Sequence, residues 1–252
     1  MNDAFARLAA VQPGPERGTV YLVGAGPGDP SLLTLRAAHL LAYADVILPD
    51  DLVSDEILSL GNPQAIVIPV GKRCGQPRIT QAGIHALMLE HAGLGRSVLR
   101  LKSGDPLVFG RANEEIEALR AAGIPFEIVP GITAAFAVAA SLKTPLTDRN
   151  SASKLILATA HHAADKTTPV AWEGAFPLDS TLVLYMPGRN FHALAESLMA
   201  SGIPPDTPVA AVSKASTAHQ HVTSTTLAGL ADSEPGPAPL ILLIGHAIQP
   251  RS

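Results

Sequence analysis

The chain has 252 residues, of which 47% are hydrophobic and 16% charged, and its formal net charge is −4 at pH 7. This composition is globular, neither disordered nor fibrous, and the length can bury the core of one large domain or two modest ones. The small negative balance supplies no overall attraction to nucleic acid or to an acidic membrane surface, so any anionic ligand has to be met by a local cluster of cations.

Met1–Gly18 carries Asp3 among small apolar residues and ends in Pro13-Gly14-Pro15-Glu16-Arg17-Gly18. It lacks the basic start and long apolar centre of a secretory signal and reads as a flexible N-terminal arm over residues 1–18. The first strand is predicted at Thr19–Val23, a β-branched and aromatic run that enters Gly24-Ala25-Gly26-Pro27-Gly28-Asp29-Pro30. Closely spaced glycines let main-chain N–H groups approach a ligand with no Cβ in the way. Gly24 and Gly26 fit the first two glycines of a dinucleotide fingerprint, but Asp29 stands at the third. Pro27 and Pro30 forbid a helix that begins in the turn. The loop is predicted to bind a ligand of another kind.

Helices are predicted at Leu32–Ala44, with Thr34 as a candidate cap, and at Ser54–Leu60, Thr80–His91, Ala112–Ala122 and Ile132–Leu142, the last apolar all round. Glu114, Glu115 and Glu117 sit at the start of the fourth, where they suit the helix dipole. Strands are predicted between these helices at Asp45–Leu48, Ala65–Val70, Ser97–Leu101 and Phe126–Val129. Such alternation implies a parallel sheet covered on both faces. Right-handed crossovers bring every strand's C-terminal end to one edge, where open α/β sheets bind ligands. That edge gathers the glycine turn, Asp50 and Asp51, Lys72 and Arg73, Lys102 through Asp105, and Gly131 to Thr133. The single cysteine, Cys74, excludes an internal disulfide and fits a reducing compartment.

Pro145–Asn150 breaks the pattern, giving an N-terminal α/β domain over residues 19–146 and a C-terminal α/β domain over residues 147–252. Beyond the break, strands are predicted at Leu155–Thr159, Thr181–Met186, Val209–Val212 and Leu240–Ile244, with a helix at Phe191–Ala200. Helical crossovers are fewer and Thr217–Thr226 is rich in Thr and Ser, so the second sheet is predicted to be mixed. A ligand cleft is expected between the two domains. No apolar run approaches the length of a membrane span, and the protein is expected to be cytoplasmic.

An ordered series of motifs resembles the uroporphyrinogen-III C-methyltransferases, within the tetrapyrrole methyltransferase superfamily. It runs through Val20–Pro30, Leu33-Thr34-Leu35, Asp50 with Leu52-Val53-Ser54, and Val70-Gly71-Lys72-Arg73. It continues through Arg100-Leu101-Lys102, Gly104-Asp105-Pro106, Val108-Phe109-Gly110-Arg111, Pro130–Ala134, Pro145-Leu146-Thr147 and Tyr185-Met186. The resemblance implies the two-domain α/β fold of that superfamily, S-adenosyl-L-methionine (SAM) as methyl donor leaving as S-adenosyl-L-homocysteine, no metal, and a homodimer. The implied reaction methylates C2 and C7 of uroporphyrinogen III to give precorrin-2, on the way to sirohaem or cobalamin. By the same match, donor contacts fall on Pro27, Ser103, Gly104, Asp105, Val108, Thr133, Ala134, Met186 and Ala215. Asp50 matches the family's proposed base, Arg111 its functional arginine, and Lys72 is a second cation for the substrate carboxylates. Met186 matches the methionine at the donor site.

The chain departs from the family pattern at Asp51, where an arginine is usual, and at Ser103, Ala112-Asn113, Asp148 and Pro187. Donor-side positions survive better than substrate-side ones. Without the resemblance, Asp50 reads as a helix cap, Lys72, Arg73 and Arg111 as solvated charges, and Met186 as core. His161-His162 face opposite ways in a strand, and His219 and His221 lack a third ligand at suitable spacing, so all four read as structural. Two alternatives stay open: a divergent SAM-binding homologue that acts on another tetrapyrrole or has low activity, and a nicotinamide-dependent oxidoreductase.

Overall fold

The computed structural model describes residues 13–71, 79–160 and 175–248. By internal contacts the chain divides into two compact units, Met1–Thr133 and Ala134–Ser252.

The first unit holds a five-stranded sheet of β1 (Val20–Gly24), β2 (Val46–Pro49), β3 (Ile66–Val67), β4 (Val98–Lys102) and β5 (Phe126–Val129). Their order is β3-β2-β4-β1-β5 and every pairing is parallel. Its helices are α1 (Leu35–Tyr43), α2 (Asp55–Leu58), α3 (Gln81–Gly93) and α4 (Ala112–Ala121). Alternate strand residues feed two apolar layers. Tyr21, Val23, Leu99 and Leu101 pack with Leu40 and Leu41 of α1 and Ile57 of α2. Val20, Leu22 and Val98 pack with Ile84 and Met88 of α3 and Leu119 of α4. The sheet is covered on both faces, as the alternation of elements requires.

Local chemistry sets the helix starts. Thr34 Oγ1 accepts from the Ala37 amide at 3.1 Å, Thr80 Oγ1 from Gly83 at 3.1 Å, and Ser54 Oγ from Ile57 at 3.3 Å. The strand predicted over Ala65–Val70 narrows to Ile66–Val67, because Pro49 of β2 has no amide to return to Ile68 O. The chain still runs beside β2 through Ile68 N–H to Ile47 O at 2.9 Å and Val70 N–H to Pro49 O at 3.1 Å. Of the expected N-terminal arm, Pro13–Gly18 is tied to this unit: Arg36 Nη1 donates to Pro13 O at 2.5 Å and Glu16 N–H to the Tyr21 hydroxyl at 2.7 Å.

The second unit holds β6 (Lys154–Thr159), β7 (Ser180–Tyr185), β8 (Pro208–Ser213), β9 (His221–Thr226) and β10 (Leu240–Ile244) in the order β6-β7-β10-β8-β9. Only β6–β7 is parallel. The sheet is therefore mixed, and the Thr- and Ser-rich run supplies its edge strand β9. Helix α6 (Phe191–Ala200) covers one face with Leu194 and Leu198 against Leu182, Leu242 and Ile244. Helix α5 (Ala134–Ser141) offers its Ala135 amide to the Tyr185 hydroxyl at 3.2 Å. It is apolar all round yet not buried all round, since Phe136 is 51% exposed. Among the described residues no helix is long and apolar enough to cross a membrane.

Candidate active site

Three strand ends of the first sheet meet through glycine. Gly24 closes β1, Gly104 follows β4 and Gly131 follows β5. A Cβ placed on Gly24 would stand 2.6 Å from Gly104 O and 2.6 Å from both N and Cα of Gly131, so the three backbones touch with no room for a side chain. Ala25 N–H donates to Lys102 O at 2.7 Å, and Gly26 and Gly104 exchange a pair of amide bonds at 3.1 and 2.7 Å. Asp105 braces the same junction: Oδ1 accepts from Leu107 N–H at 2.8 Å and Oδ2 from Gly131 N–H at 3.0 Å. Ser54 Oγ ties in the opening loop by donating to Gly28 O at 3.0 Å. The loops carrying Pro27, Ser103, Gly104, Asp105, Val108 and Thr133 are thus gathered at one edge, with Thr133 buried and the others half-buried.

Asp50 follows β2 on this edge and is not a helix cap; Ser54 caps α2 instead. Its amide donates to Leu101 O at 2.9 Å, and its Oδ1 accepts from Arg100 Nη2 at 2.5 Å. Arg100 and Lys102 lie two apart on β4 and so share a face, the one covered by α3 and α4. Arg100 Nε donates to Glu115 Oε1 at 2.9 Å, and Lys102 Nζ reaches both Glu115 oxygens at 3.0 Å. Gln81 Nε2 adds a bond to Glu115 Oε1 at 3.3 Å. Side-chain exposure is 3% for Arg100, 2% for Lys102 and 0% for Glu115, but 29% for Asp50. Burial, and then the Arg100 charge, push the Lys102 ammonium below its ordinary range, while Glu115 and Asp50 act against that.

Arg111 stands at the start of α4 in the left-handed region, φ 55°, and makes a two-bond fork to Glu114 with both contacts at 2.7 Å. Glu114 holds the Arg111 guanidinium above its ordinary pKa, and Arg111 holds the Glu114 carboxyl below its own. Phe109, two residues earlier, is also left-handed at φ 53°.

In the second unit, β7 and β8 both run antiparallel to β10, so their C-terminal ends share an edge. Met186 follows β7 there with φ 48° and is 47% exposed, which sets aside its reading as core. Ala215, after β8, is half-buried between two left-handed residues, Lys214 at φ 48° and Ser216 at φ 58°. Left-handed backbone at non-glycine residues is costly and marks functional turns. Ala134 opens α5. Asp148 is spent on its own loop, its Oδ1 accepting from the amides of Asn150 at 2.9 Å and Ser151 at 3.2 Å.

Lys72, Arg73, Cys74, His161 and His162 lie outside the described residues. Among the described residues no group of three or more His, Cys, Asp or Glu is placed to hold a metal. Sequence reasoning missed Arg100 as the partner of Asp50 and Glu115 as the partner of Arg100. The signal was present: a central parallel strand should be apolar, and two cations within Val98–Lys102 demand buried counter-charges.

A parallel and a mixed five-stranded sheet, with loops gathered at strand ends, form the two-unit α/β architecture of the tetrapyrrole methyltransferases. A family model described as Tetrapyrrole (Corrin/Porphyrin) Methylases matches residues 19–231, and the chain belongs to that family. It is 45% identical over 232 residues to a uroporphyrinogen-III C-methyltransferase of Paracoccus denitrificans, covering 91% of this chain and 81% of that protein. A second relative, siroheme synthase 2 of Halorhodospira halophila, is 44% identical over 94% of this chain, which spans 48% of the longer protein. Among solved structures, the uroporphyrin-III C-methyl transferase of Thermus thermophilus complexed with S-adenyl homocysteine superposes with a TM-score of 0.79 at 36% identity. That match covers 91% of this chain and 98% of the other.

Proposed function

We propose that this chain is a uroporphyrinogen-III C-methyltransferase, transferring methyl groups from SAM to C2 and C7 of uroporphyrinogen III to give precorrin-2. The observation that carries the reading is the likeness to the Paracoccus enzyme, 45% identity across 91% of the chain, with the glycine turns and Asp50 on one sheet edge. The Thermus neighbour complexed with S-adenyl homocysteine supports SAM as donor. The residues suit such a donor: backbone-exposing turns at Gly26–Gly28 and Ser103–Gly104 adjoin half-buried Val108 and buried Thr133.

SAM, when bound, supplies a methyl carried on a sulfonium, and the sulfur keeps the bonding pair as S-adenosyl-L-homocysteine departs. The chain's own part is mainly alignment. Pro27, Ser103, Gly104, Asp105, Val108, Thr133, Ala134, Met186 and Ala215 hold the donor. Asp105 does so in part by fixing Gly131 and Leu107, the amides on its two oxygens. The attacking pyrrole carbon provides the electron pair of the new C–C bond, which leaves the ring system cationic. Asp50 takes the proton whose loss restores neutrality. Its Oδ1 is held by Arg100, and among the described residues its Oδ2 accepts no hydrogen bond. Arg111 and Lys72 bind the carboxylates of the substrate, Arg111 exchanging Glu114 for a substrate acid. The protein acts as a cytoplasmic homodimer on this small molecule, without nucleic acid or membrane.

The test is incubation with SAM and uroporphyrinogen III under reducing conditions, read by mass. The reading expects a product carrying two added methyl groups; no methyl gain would overturn it. Calorimetry against SAM and NAD should show binding of SAM alone.

A further inference from the structure

We propose that Arg100 is a positioning residue for Asp50: its guanidinium, locked by Glu115, fixes one carboxylate oxygen so that the other is presented to the substrate. The inference rests on the reading of Asp50 as the group that takes the product proton. Three guanidinium nitrogens are engaged with three residues, one on α4 and two on or just after β2. Nε bonds Glu115 Oε1 on α4 at 2.9 Å, Nη1 bonds Leu48 O on β2 at 3.1 Å, and Nη2 bonds Asp50 Oδ1 at 2.5 Å. Because the guanidinium is planar and rigid, fixing two of these bonds sets the direction of the third. Lysine, a point charge on a flexible stem, cannot hold all three.

The charges form a chain, Asp50–Arg100–Glu115–Lys102, with two anions and two cations. Three members are 3% exposed or less, and only Asp50, at 29%, reaches solvent. The buried interior is tied together by Glu115, which accepts from Arg100, Lys102 and Gln81. Among the described residues the free end is Asp50 Oδ2. Buried ion networks contribute little net stability compared with apolar packing of the same volume. A charge-balanced network that ends at one part-exposed carboxylate is therefore accounted for by what it does to that carboxylate. The arrangement has the logic of an orienting partner behind a proton-transfer group, in which a buried ion fixes geometry without taking the proton.

The experiment compares Arg100→Gln and the charge-retaining Arg100→Lys in the full chain, with Arg36→Gln as the control. Arg36 makes a similar two-bond fork, to Glu127 at 3.0 and 2.7 Å, away from Asp50. With uroporphyrinogen III as substrate, Arg100→Gln should lower kcat by about 100-fold, with substrate KM and S-adenosyl-L-homocysteine affinity changed by less than about threefold. Arg100→Lys should recover only part of the loss, and Arg36→Gln should leave kcat unchanged. In an Asp50→Asn background, Arg100→Gln should cost nothing further, because two residues acting as a unit are not additive. An undiminished kcat in Arg100→Gln, or an equal loss in both backgrounds, would overturn the proposal. A crystal structure of Arg100→Lys separates the two readings. A displaced Asp50 carboxylate upholds positioning even if uroporphyrinogen III proves not to be the substrate, and an unmoved one refutes it.

Discussion

Lys102 Nζ lies 3.0 Å from each carboxylate oxygen of Glu115, a two-oxygen contact between side chains that are 2% and 0% exposed. Glu115 also serves Arg100, so removing its charge leaves Lys102 without its anionic partner and Arg100 with Asp50 alone. Glu115→Gln should destabilise the protein by about 3–5 kcal/mol, seen as a fall in the midpoint of denaturant unfolding. Adding Lys102→Met to that variant should restore part of the loss, since it deletes the charge left unpaired. A double variant no more stable than Glu115→Gln would show that Lys102 does not depend on Glu115.

The glycine junction makes a second prediction. Gly24→Ala places a methyl 2.6 Å from the backbone of both Gly104 and Gly131, where no side chain can yield. It should cost roughly 1–3 kcal/mol of stability, as overpacking does, and weaken S-adenosyl-L-homocysteine binding as the two loops part. Gly93→Ala, with open space around its Cβ, is the neutral comparison. Thermal melts with and without the ligand check both.

Arg111 distinguishes a surface ion pair from a substrate contact. Its side chain is 55% exposed and its fork to Glu114 is solvated, so the pair contributes little to folding. Arg111→Ala should leave the melting temperature within about 1 °C while raising the KM for uroporphyrinogen III by about tenfold or more. A large loss of stability with unchanged KM would assign Arg111 to the fold alone.

Asp45 gives a pH dependence whose sign is fixed. Its Oδ2 accepts from the amide and hydroxyl of buried Ser97, both at 2.8 Å, and the Ser97 amide bond holds its carboxyl below the ordinary value of 3.8. A lowered folded-state pKa contributes stability that is complete above the unfolded value and is lost as pH falls through the folded one. Asp45→Ala should therefore cost about 1 kcal/mol at neutral pH, and the gap to the unmodified protein should close as pH drops below 3.8. Urea titrations across pH 7 to 3 measure the gap; one independent of pH would contradict the assignment.

Much of the first sheet was legible because its strands and helices alternate and its strands are short and mostly apolar. Thr34 could be picked as a cap, and the ligand edge follows from parallel topology before any site residue is considered. Pro49 shortens β3 for a reason written in the sequence, the missing amide on the partner strand. The reading of Glu115 stopped short because its place in the first turn of the helix, which the structure bears out, already explains an acid by the dipole. The two cations on β4 were visible in the sequence, but only the structure shows that Glu115 is their partner. Backbone strain at Met186, Lys214 and Ser216 was beyond periodicity, since nothing in residue type calls for a left-handed turn at those positions. Phe136 shows the converse limit: an all-apolar helix looks buried in sequence, and pattern alone does not tell which face stays uncovered.

The central claim joins a methyl-transfer reaction to Asp50 on the sheet edge. Its most direct test is a single-turnover assay with SAM and uroporphyrinogen III, read by mass, on the unmodified chain and on Asp50→Asn. The account predicts two added methyl groups in the first. For Asp50→Asn it predicts S-adenosyl-L-homocysteine binding within about threefold and product formation slowed at least about 100-fold. Product formation by Asp50→Asn at the unmodified rate, or no methyl gain with the unmodified chain, would contradict it.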